Sequence, residues 1–457
     1  MLKEFATSIV QTLRQRGFQA YLVGGCVRDL LLGREPKDYD VATNATPQQV
    51  METFPETYAV GAQFGVVLVP APAPASTLQR DAASDDSAEV SAKSNAIEVA
   101  TFRSDVGYSD GRHPDEVRLS LDPREDVARR DFTINGMLLD PINDEVLDFV
   151  GGRNDLEAGI IRTIGHPEER FKEDKLRMLR AVRFAARFEY TIEPATFSAI
   201  QKLADHIHVV SRERVRDELT RMLTEGHARR AFQLLDQSGL LKSVLPEIAA
   251  MKGVEQPREF HPEGDVFAHT LLLLENLPNP CTLTLAWGAL LHDVGKPPTF
   301  RVAPDRIRFD NHVEVGVKIA EQICLRLRFS NDDTEQILAL VENHMRFGHA
   351  TRMKESTLKK FLRMPRFDEH LALHRADCLA SHGNLSTYEL IQQKRAEIPV
   401  ATMRPSPLVT GDDLIADGRV PGPKFREILS AVEDAQLEGR LLSRDAALAF
   451  VRREFPL

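Results

Sequence analysis

Two aspartates one residue apart, Asp38 and Asp40, follow a Gly24-Gly25 pair in the stretch YLVGGCVRDLLLGREPKDYD. Alternate side chains of an extended strand lie on one face, so the two carboxylates would point at one place, where a hard divalent cation could bind. Backbone N–H groups at the glycine turn and the following helix could meet phosphates. The alternative is a tight connection followed by two solvated aspartates. Because both elements occur together, with Arg28 one helical turn later, the pattern favours a phosphate-and-metal site.

Two further polar features extend this hypothesis. Arg129 and Arg130 precede Asp131 and the stretch FTING, which would put two guanidinium groups at a strand entrance, where they could clamp a triphosphate bidentately. A surface ion-pair cluster is the alternative. Glu98 lies on another predicted strand, where it could supply a third carboxylate or could simply be solvated.

The stretch EDKLRMLRAVRFAAR combines carboxylates with regularly spaced arginines. On one helix, at about 100° per residue, its polar and apolar side chains separate onto opposite halves. The polar half would carry Asp174, Arg177, Arg180, Arg183 and Arg187, and the apolar half Phe171, Met178, Val182 and Ala186. A solvated Arg-rich face with acid–base support at i,i+3 would explain the same spacing.

The adjacent Asp–Arg pair offers an acceptor beside fork-like donors. Cytosine and adenine both present an amino donor next to a ring-nitrogen acceptor, whereas uracil and guanine present the reverse order. Asp174 accepting and Arg177 donating would match C and A and leave buried groups unpaired against U and G. Unpaired buried groups make such discrimination strong, so this helix is predicted to select the base.

A second set of potential ligands occurs in the stretches FHPEGDVFAHT, LLHDVGK, FDNHVEVG, ENHMR and HRADCLAS. Imidazole and carboxylate ligands spread over several helices are what a divalent-metal hydrolase requires, because they converge only after folding. A single buried histidine is more often a core residue, but the series as a whole predicts a metal site. Its members are His269, His292, Asp293, His312, His344 and Asp377.

The elements that must position these groups fall into a mixed first part and a helical remainder. Strand patterns at YLV, FGVVLV, IEVATF and residues 133–140 predict a small sheet. The Ala-, Ser-, Pro- and Asp-rich stretch from Pro70 to Ala96 is predicted to be a disordered insertion between neighbouring strands. From about Leu156 the apolar spacing is helical. We therefore predict an α+β fold divided at about residues 150, 256 and 385.

Composition describes the setting rather than the chemistry. A chain of 457 residues with 42% hydrophobic content can form several buried cores. Its four cysteines include no C-x-x-C pair, which argues against a disulfide scaffold and favours a reducing, cytoplasmic compartment. No apolar run approaches a membrane span and no targeting signal is recognisable. Although the net charge is −10, residues 170–230 hold 14 Lys and Arg against 9 Asp and Glu, a basic island suited to nucleic acid.

Taken in order, LVGGxVRD with D-x-D, RRDFTIN, DFVGGRNDL, EDxxRxxRAVRF and SRERVRDEL resemble the class II nucleotidyltransferases, that is, the CCA tRNA nucleotidyltransferases and bacterial poly(A) polymerases. The resemblance covers about residues 20–245. It implies a polymerase-β-like head in residues 1–150, a helical neck and body in 151–256, and Mg²⁺ on catalytic Asp38 and Asp40. It also implies nucleotide contacts from Gly25, Arg28, Arg130, Asp174, Arg177, Arg180 and Arg183.

The later histidine series resembles the HD-domain metal-dependent phosphohydrolases. This implies an HD domain at residues 257–385 with a divalent metal of unspecified identity, followed by a helical tail at 386–457. Its substrate stays open between a 2′,3′-cyclic phosphate at an RNA end and a nucleotide monoester. The alternative is an HD domain kept as a scaffold that braces RNA.

The resemblance implies that an RNA 3′-hydroxyl attacks the α-phosphate of CTP or ATP and releases pyrophosphate. Residues 101–117 resemble the loop associated with adding the final A, and the chain ends in a stretch of mixed charge rather than a long basic tail. Full CCA addition to tRNA is therefore preferred, with A-only addition and poly(A) synthesis as alternatives. A phosphohydrolase and an RNA-binding module without turnover are the hypotheses from other classes. The expected partners are tRNA, CTP and ATP, with no membrane or protein partner implied.

Overall fold

The computed structural model of the chain describes residues 2–58, 65–71, 96–107, 115–259 and 261–456. The chain divides into two compact units. The first comprises Met1–Met222 and Arg230–Val244, and the second Leu223–Arg229 and Leu245–Leu457. Among the described residues, none of the helices combines the length and the apolar character needed to cross a membrane.

Short strands form the centre of the first unit. They are β1 (Ala20–Val23), β2 (Asp40–Thr43), β3 (Val66–Pro70), β4 (Ala96–Thr101), β5 (Arg103–Val106), β6 (Glu116–Leu119), β7 (Met137–Asp140), β8 (Glu145–Asp148), β9 (Ile160–Ile161) and β10 (Thr191–Ile192). Six of them build one sheet in the order β3-β4-β2-β1-β7-β8, in which β2 and β4 are parallel. Asp40 on β2 pairs in register with Val23 on one side and Glu98 on the other. The sheet thus brings two carboxylates side by side.

Helices surround this sheet and continue beyond it. They are α1 (Leu2–Gln15), α2 (Gly25–Leu31), α3 (Pro47–Thr53), α4 (Pro123–Ala128), α5 (Gly152–Ala158), α6 (Pro167–Glu173), α7 (Leu176–Phe188), α8 (Pro194–Leu203), α9 (Arg212–Thr224), α10 (Ala228–Gln237) and α11 (Leu240–Val244), with a 3-10 helix at Ala204–Val209. The amphipathic α7 buries Met178, Val182 and Ala186, as its apolar spacing predicts.

The described residues of the second unit form helices and one short hairpin, β11 (Phe300–Val302) and β12 (Ile307–Phe309). Its helices are α12 (Pro246–Ala249), α13 (Val266–Glu275), α14 (Leu283–Leu291), α15 (Lys296–Thr299), α16 (His312–Arg326), α17 (Asn331–Asn343), α18 (Glu355–Leu362), α19 (Phe367–Ala380), α20 (Ser386–Glu397), α21 (Val400–Met403), α22 (Gly411–Ala416), α23 (Pro423–Leu437) and α24 (Arg444–Glu454), with a 3-10 helix at His344–Arg352. The predicted α+β class is confirmed.

Two local predictions need correction. Residues 133–140 were expected to form one strand, but Thr133–Asn135 form a 3-10 turn and only Met137–Asp140 join the sheet. The carboxylate of Asp131 accepts hydrogen bonds from the Phe132 amide and the Asn135 side chain. Such side-chain bonds compete with a strand ladder.

The single helix expected through Asp174 is also wrong. α6 ends at Glu173, α7 starts at Leu176, and Asp174 between them has extended backbone angles, φ −143° and ψ 106°. Its Oδ1 accepts from the Leu176 amide at 3.0 Å, a local bond that replaces the helical one.

Two predicted segments lie partly outside the described residues. They are the insertion, of which residues 72–95 are not described, and the stretch 101–117, of which 108–114 are not described. The strands β3 and β4 that flank the insertion are antiparallel neighbours, as expected.

Candidate active site and metal centre

A cavity of about 810 Å³ in the first unit collects polar side chains from widely separated parts of the sequence. Its lining includes Gly24, Gly25, Arg28, Asp38, Asp40, Glu98, Arg129, Arg130, Asp131, Asn135, Asp174, Leu176, Arg177, Arg180, Phe184, Arg214 and Arg221. Every first-unit residue with a predicted catalytic or nucleotide-binding role except Arg183 is among them. The fold therefore brings the carboxylates and the predicted base-selecting pair to one space.

Three carboxylates, those of Asp38, Asp40 and Glu98, lie along one wall. Burial, followed by the neighbouring Glu98, raises the pKa of Asp40 to about 6, with Arg130 opposing the rise. A cluster of like charges in a partly buried place favours a bound cation, and an all-oxygen donor set suits a hard divalent ion. The residues present therefore fit a cation. Glu98, whose role was open, reaches this wall because its strand is the parallel neighbour of β2.

The glycine turn between β1 and α2 has a steric reason. Gly24 has φ +75°, which L side chains rarely adopt, and a Cβ there would lie 3.2 Å from Arg130 Nη1 and 3.7 Å from Asp40 Oδ2. Any side chain would push into the space where the Arg130 guanidinium approaches the Asp40 carboxylate. Glycine thus permits the approach of the two charged groups.

Arg129 and Arg130 share one buried partner that the sequence reasoning missed. Asp126 accepts from Arg129 Nη2 at 2.6 Å and from Arg130 Nη2 at 2.9 Å. Although burial acts to raise it, the pKa of Asp126 is lowered by the two guanidinium groups. The ion pairs of the alternative interpretation are thus present, and they also hold both arginines at the cavity wall.

Asp131 links the head sheet to α7. Its Oδ2 accepts from Arg180 Nη2 at 2.6 Å and Nε at 2.8 Å, and its Oδ1 accepts from Asn135 Nδ2 at 3.1 Å. Asn135 Oδ1 in turn accepts from Arg28 Nη1 at 2.7 Å. Although burial opposes it, Arg180 and the Asn135 hydrogen bond lower the pKa of Asp131 to about 2. Residues distant in sequence thus hold two predicted nucleotide contacts, Arg28 and Arg180, in fixed orientations.

The predicted base-selecting pair is tethered on both sides. Arg177 donates from Nη1 to Glu173 Oε2 at 2.7 Å and from Nη2 to the Arg129 carbonyl at 3.0 Å. Asp174 accepts from Arg214 Nη2 at 2.6 Å. Both side chains are largely buried, so the solvated-face alternative does not describe them.

Arg183 is placed differently from the other predicted contacts. Its Nε donates to Glu218 Oε2 at 2.6 Å, and both side chains are buried. Its guanidinium lies over the Phe184 ring, 4.3 Å from the centroid. Arg183 therefore packs behind the cavity wall rather than lining it.

In the second unit all six predicted ligands converge. One group contains His269, His292 and Asp377, and a second contains Asp293, His312 and His344; within each group the ligand atoms lie within 4.8 Å of one another. The His292–Asp293 pair, with 3.1 Å between Nε2 and Oδ2, connects the two groups. Five of the six, all except His269, line a cavity of about 590 Å³.

The histidine tautomers are set by the backbone. The Nδ1 atoms of His292, His312 and His344 lie 2.8, 3.0 and 2.6 Å from the carbonyl oxygens of Ala289, Phe309 and Val341. An Nδ1–H donor leaves Nε2 as a lone-pair donor, which is the usual arrangement for a metal ligand. The three Nε2 atoms are buried and make no well-formed hydrogen bond among the described residues. They face the Asp293 carboxylate instead, at 3.1 Å for His292, 3.8 Å for His312 and 3.7 Å for His344. Orphaned nitrogen atoms that converge with carboxylates fit a divalent metal.

Three neighbours of this centre were not predicted. His261 and Glu263 form a third candidate ligand group with His269. Lys296 Nζ lies 2.6 Å from Asp293 Oδ2. The motif FHPEGD contains the first two, and the motif HDVGK contains the lysine, so their residue types were visible although their proximity was not.

Comparisons with known proteins agree with this architecture. The poly A polymerase head domain matches residues 20–162, the probable RNA and SrmB-binding site of polymerase A matches 189–252, and the HD domain matches 266–381. The fold and these matches place the chain in the polymerase-β-like nucleotidyltransferase class, with an HD domain. Both are metal-dependent classes, in accord with the ligand groups.

Individual relatives show to which family within this class the chain belongs. The chain is 40% identical over 244 residues to a CCA-adding enzyme of Geobacillus stearothermophilus, covering 53% of this chain and 55% of that relative, little more than half its length. It is 35% identical over 352 residues to a multifunctional CCA protein of Acinetobacter baumannii, covering 75% of this chain and 78% of the relative. It is also similar to the crystal structure of the Bacillus stearothermophilus CCA-adding enzyme in complex with CTP, with TM-score 0.71, 27% identity and coverage of 98% and 97%. The chain belongs to the family of class II CCA tRNA nucleotidyltransferases and bacterial poly(A) polymerases.

Proposed function

We propose that the protein completes the CCA sequence at tRNA 3′ ends, using CTP and ATP and releasing pyrophosphate. One observation carries the proposal: a single cavity is lined by the carboxylates of Asp38 and Asp40 and by the Asp174–Arg177 pair. Metal-site carboxylates alone would suit many phosphate enzymes. Their combination with a protein-borne acceptor and donor suits untemplated addition of C and A. The names of the relatives, CCA-adding enzymes and a multifunctional CCA protein, support the same activity.

Asp38 and Asp40 would hold Mg²⁺, with Glu98 as a candidate third ligand. When bound, the cations lower the pKa of the attacking hydroxyl and neutralise charge on the phosphates. Arg130 and Arg28 would bind and orient the triphosphate, each already anchored by another side chain. The 3′-hydroxyl oxygen then forms a bond to the α-phosphorus as the bond to pyrophosphate breaks. Positioning and electrostatics suffice for this transfer, so it needs no nucleophilic side chain.

Base choice would come from the Asp174 acceptor and the Arg177 donor. The bases U and G would put a carbonyl against the carboxylate and an N–H against the guanidinium, leaving these largely buried groups unpaired. The loss is large because neither side chain can turn away: Arg177 is held by Glu173 and the Arg129 carbonyl. Gly25 and Arg180 complete the proposed nucleotide contacts, and Arg183 would act from behind through its neighbours.

Product length on three acceptors tests the proposal. Purified protein is incubated with labelled CTP and ATP and with tRNA ending before CCA, tRNA ending in CC, or an unrelated RNA. CCA addition predicts three added residues on the first, one on the second and almost none on the third. Addition only to the second would favour the A-only alternative, and long A tracts on the third would favour poly(A) synthesis. Asp38→Ala and Asp40→Ala should each abolish nucleotide incorporation. Undiminished incorporation in either variant would show that the proposed site is wrong.

We also infer a second activity, metal-dependent phosphohydrolysis at the HD centre. Its support is the convergence of six candidate ligands with buried, unpartnered Nε2 atoms. An imidazole-rich donor set suits a first-row transition metal rather than Mg²⁺. A scaffold domain needs no such orphaned nitrogen atoms, so the scaffold alternative is disfavoured.

Hydrolysis of a 2′,3′-cyclic nucleotide and of a nucleotide monoester, with Mn²⁺, Ni²⁺ or Co²⁺ supplied separately, tests this activity. Asp293→Ala should remove hydrolysis and lower bound metal while leaving nucleotide addition intact. Asp38→Ala should have the reverse effect. Hydrolysis that survives Asp293→Ala would show that the HD centre is not its source.

We infer the domain division from the same data. The family matches support a head, an RNA-binding body and an HD domain near the expected boundaries. A separate core contains residues from Val409 to Val451, whereas Ile391 and Met403 pack into the core around Phe347. We therefore infer that the tail starts after Met403.

The four free cysteines support a cytoplasmic protein.

A further inference from the structure

We propose that Arg214 is a positioning residue that sets nucleotide specificity by holding the carboxylate of Asp174. The inference rests on the proposed function and deepens it. Arg214 lies on α9, 40 positions from Asp174, and both side chains line the cavity. Nothing in the spacing of the charged stretch points to this arginine.

Asp174 needs an external tether because it does not belong to a helix. Its backbone is extended between α6 and α7, so helical geometry does not direct its side chain toward the cavity. Two groups hold the carboxylate in the described structure. The Leu176 amide donates to Oδ1 at 3.0 Å, and Arg214 donates from Nη2 to Oδ2 at 2.6 Å and from Nη1 to Oδ1 at 3.3 Å.

The fork of Arg214 does more than neutralise charge. Its two parallel N–H groups engage both carboxylate oxygens, which fixes the carboxylate plane as well as its place. A carboxylate offers about four lone-pair positions. Three are used by Leu176 and Arg214, and the one left on Oδ2 can accept a single amino hydrogen from cytosine or adenine.

Removing the fork would free the carboxylate to rotate. A rotated carboxylate can withdraw from a uracil or guanine carbonyl, or admit a water between the two acceptors, so the penalty against the wrong base falls. Addition of C and A should weaken less than the discrimination. Arg214 would therefore influence the choice of base without touching it.

The test compares kcat/KM for CTP and UTP on tRNA lacking CCA, and for ATP and GTP on tRNA ending in CC. In Arg214→Met the CTP:UTP ratio should fall by about 10- to 100-fold, while KM for tRNA stays within about twofold. Arg214→Lys keeps the charge but loses the fork and should give an intermediate ratio. Arg153→Met, at an exposed i,i+4 pair with Glu157, is the matched control and should leave the ratio unchanged.

A double-mutant cycle separates positioning from stability. In an Asp174→Asn background, Arg214→Lys should change the ratio no further, because the group it positions has been altered. If all four nucleotides lose efficiency equally in Arg214→Met or Arg214→Lys, Arg214 is only structural and the inference is wrong. Should Arg214→Met fail to fold by circular dichroism, the Lys variant and the cycle decide.

Failure of the proposed function would look different. If the wild-type protein adds no nucleotide to any tRNA, the proposed activity is refuted. Calorimetric titration with CTP and UTP then tests the role of Arg214 alone. Preferential CTP binding that is reduced in Arg214→Lys supports the positioning role. An unchanged preference, or none in the wild type, overturns it.

Discussion

Replacement of Asp131 by asparagine should destabilise the first unit and weaken nucleotide addition together. Asp131 is largely buried, with 11% of its side chain exposed, and holds Arg180 through two hydrogen bonds. Its pKa is lowered from 3.8 to about 2 by Arg180 and Asn135 against the effect of burial. Because the folded-state pKa lies below the unfolded one, its contribution is present above pH 3.8 and is lost as pH falls through about 2.

Two effects set the size of the expected loss of stability. Lowering the pKa of Asp131 from 3.8 to about 2 corresponds to about 2 kcal/mol of stability at pH 7. The variant also leaves the Arg180 guanidinium without its closest carboxylate, since Glu218 lies 3.9 Å away and Asp174 acts only through its charge. Breaking one side of a fully buried pair costs about 3 to 5 kcal/mol, which is an upper bound here because 31% of the Arg180 side chain is exposed. We expect a loss of about 2 to 4 kcal/mol and, because Arg180 is released from its orientation, a fall in kcat of at least about tenfold.

Unfolding can be assigned to one unit because the chain has a single tryptophan, Trp287, in the second unit. Far-UV circular dichroism and hydrogen exchange of peptides around Asp131 should reveal the loss, while the Trp287 emission transition should change little. Asp217→Asn, at a half-exposed pair with Arg216, is the control and should cost under about 1 kcal/mol. If Asp131→Asn unfolds within about 0.5 kcal/mol of wild type, or no more easily than the control, the proposed anchoring of Arg180 is wrong.

Three shorter predictions concern other parts of the chain. Gly24→Ala forces a side chain onto a residue with φ +75°, a cost of about 1 to 3 kcal/mol, so kcat for nucleotide addition should fall while KM for tRNA is unchanged; unchanged kcat would contradict the steric argument. Gly295→Ala would drive a Cβ into the His312 carbonyl oxygen, so the Mn²⁺ bound at the HD centre, measured by elemental analysis, should drop. Full metal content in the variant would refute this prediction. Burial lowers the pKa of His370 to about 4, below its unfolded value of 6.5, so stability should decline as pH falls from 6.5 toward 4. The free energy of unfolding, measured in urea by Trp287 emission, should fall by about 2 kcal/mol between pH 7 and pH 5. His370→Gln should show a smaller fall, and an unchanged pH dependence in this variant would exclude His370 as the cause.

Much of the site in the first unit could be predicted because its polar residues occur in short motifs. Asp38 and Asp40 lie beside a glycine turn in both sequence and structure, and their grouping follows from local chain geometry. The break at Asp174 could not be predicted from apolar periodicity, which continues across it. A side-chain bond to the Leu176 amide stops the helix, and such local competition leaves the hydrophobic pattern unchanged.

Other contributors were hidden because their partners are remote. Glu98 joins the carboxylates through a parallel strand pairing, and Asp126 supports two arginines from a helix that no motif marks. Arg183 carries the same spacing signal as Arg177 and Arg180, yet Glu218 draws it away from the cavity. Helical spacing determines which face a residue occupies, but the neighbour packed on that face determines whether it meets a ligand.

Residue types and their order by themselves determined the family, the polymerase-β-like head, the helical remainder and the presence of two metal-suited ligand sets. Tertiary structure alone decided that Asp174 and Arg177 share a cavity with Asp38 and Asp40, that Arg214 holds Asp174, and that orphaned Nε2 atoms converge around Asp293. The physical reason is the distance along the chain over which each kind of interaction acts. Turn chemistry and periodicity act over a few residues, whereas the contacts that orient a carboxylate or an imidazole join positions tens of residues apart and exist only once the chain has packed.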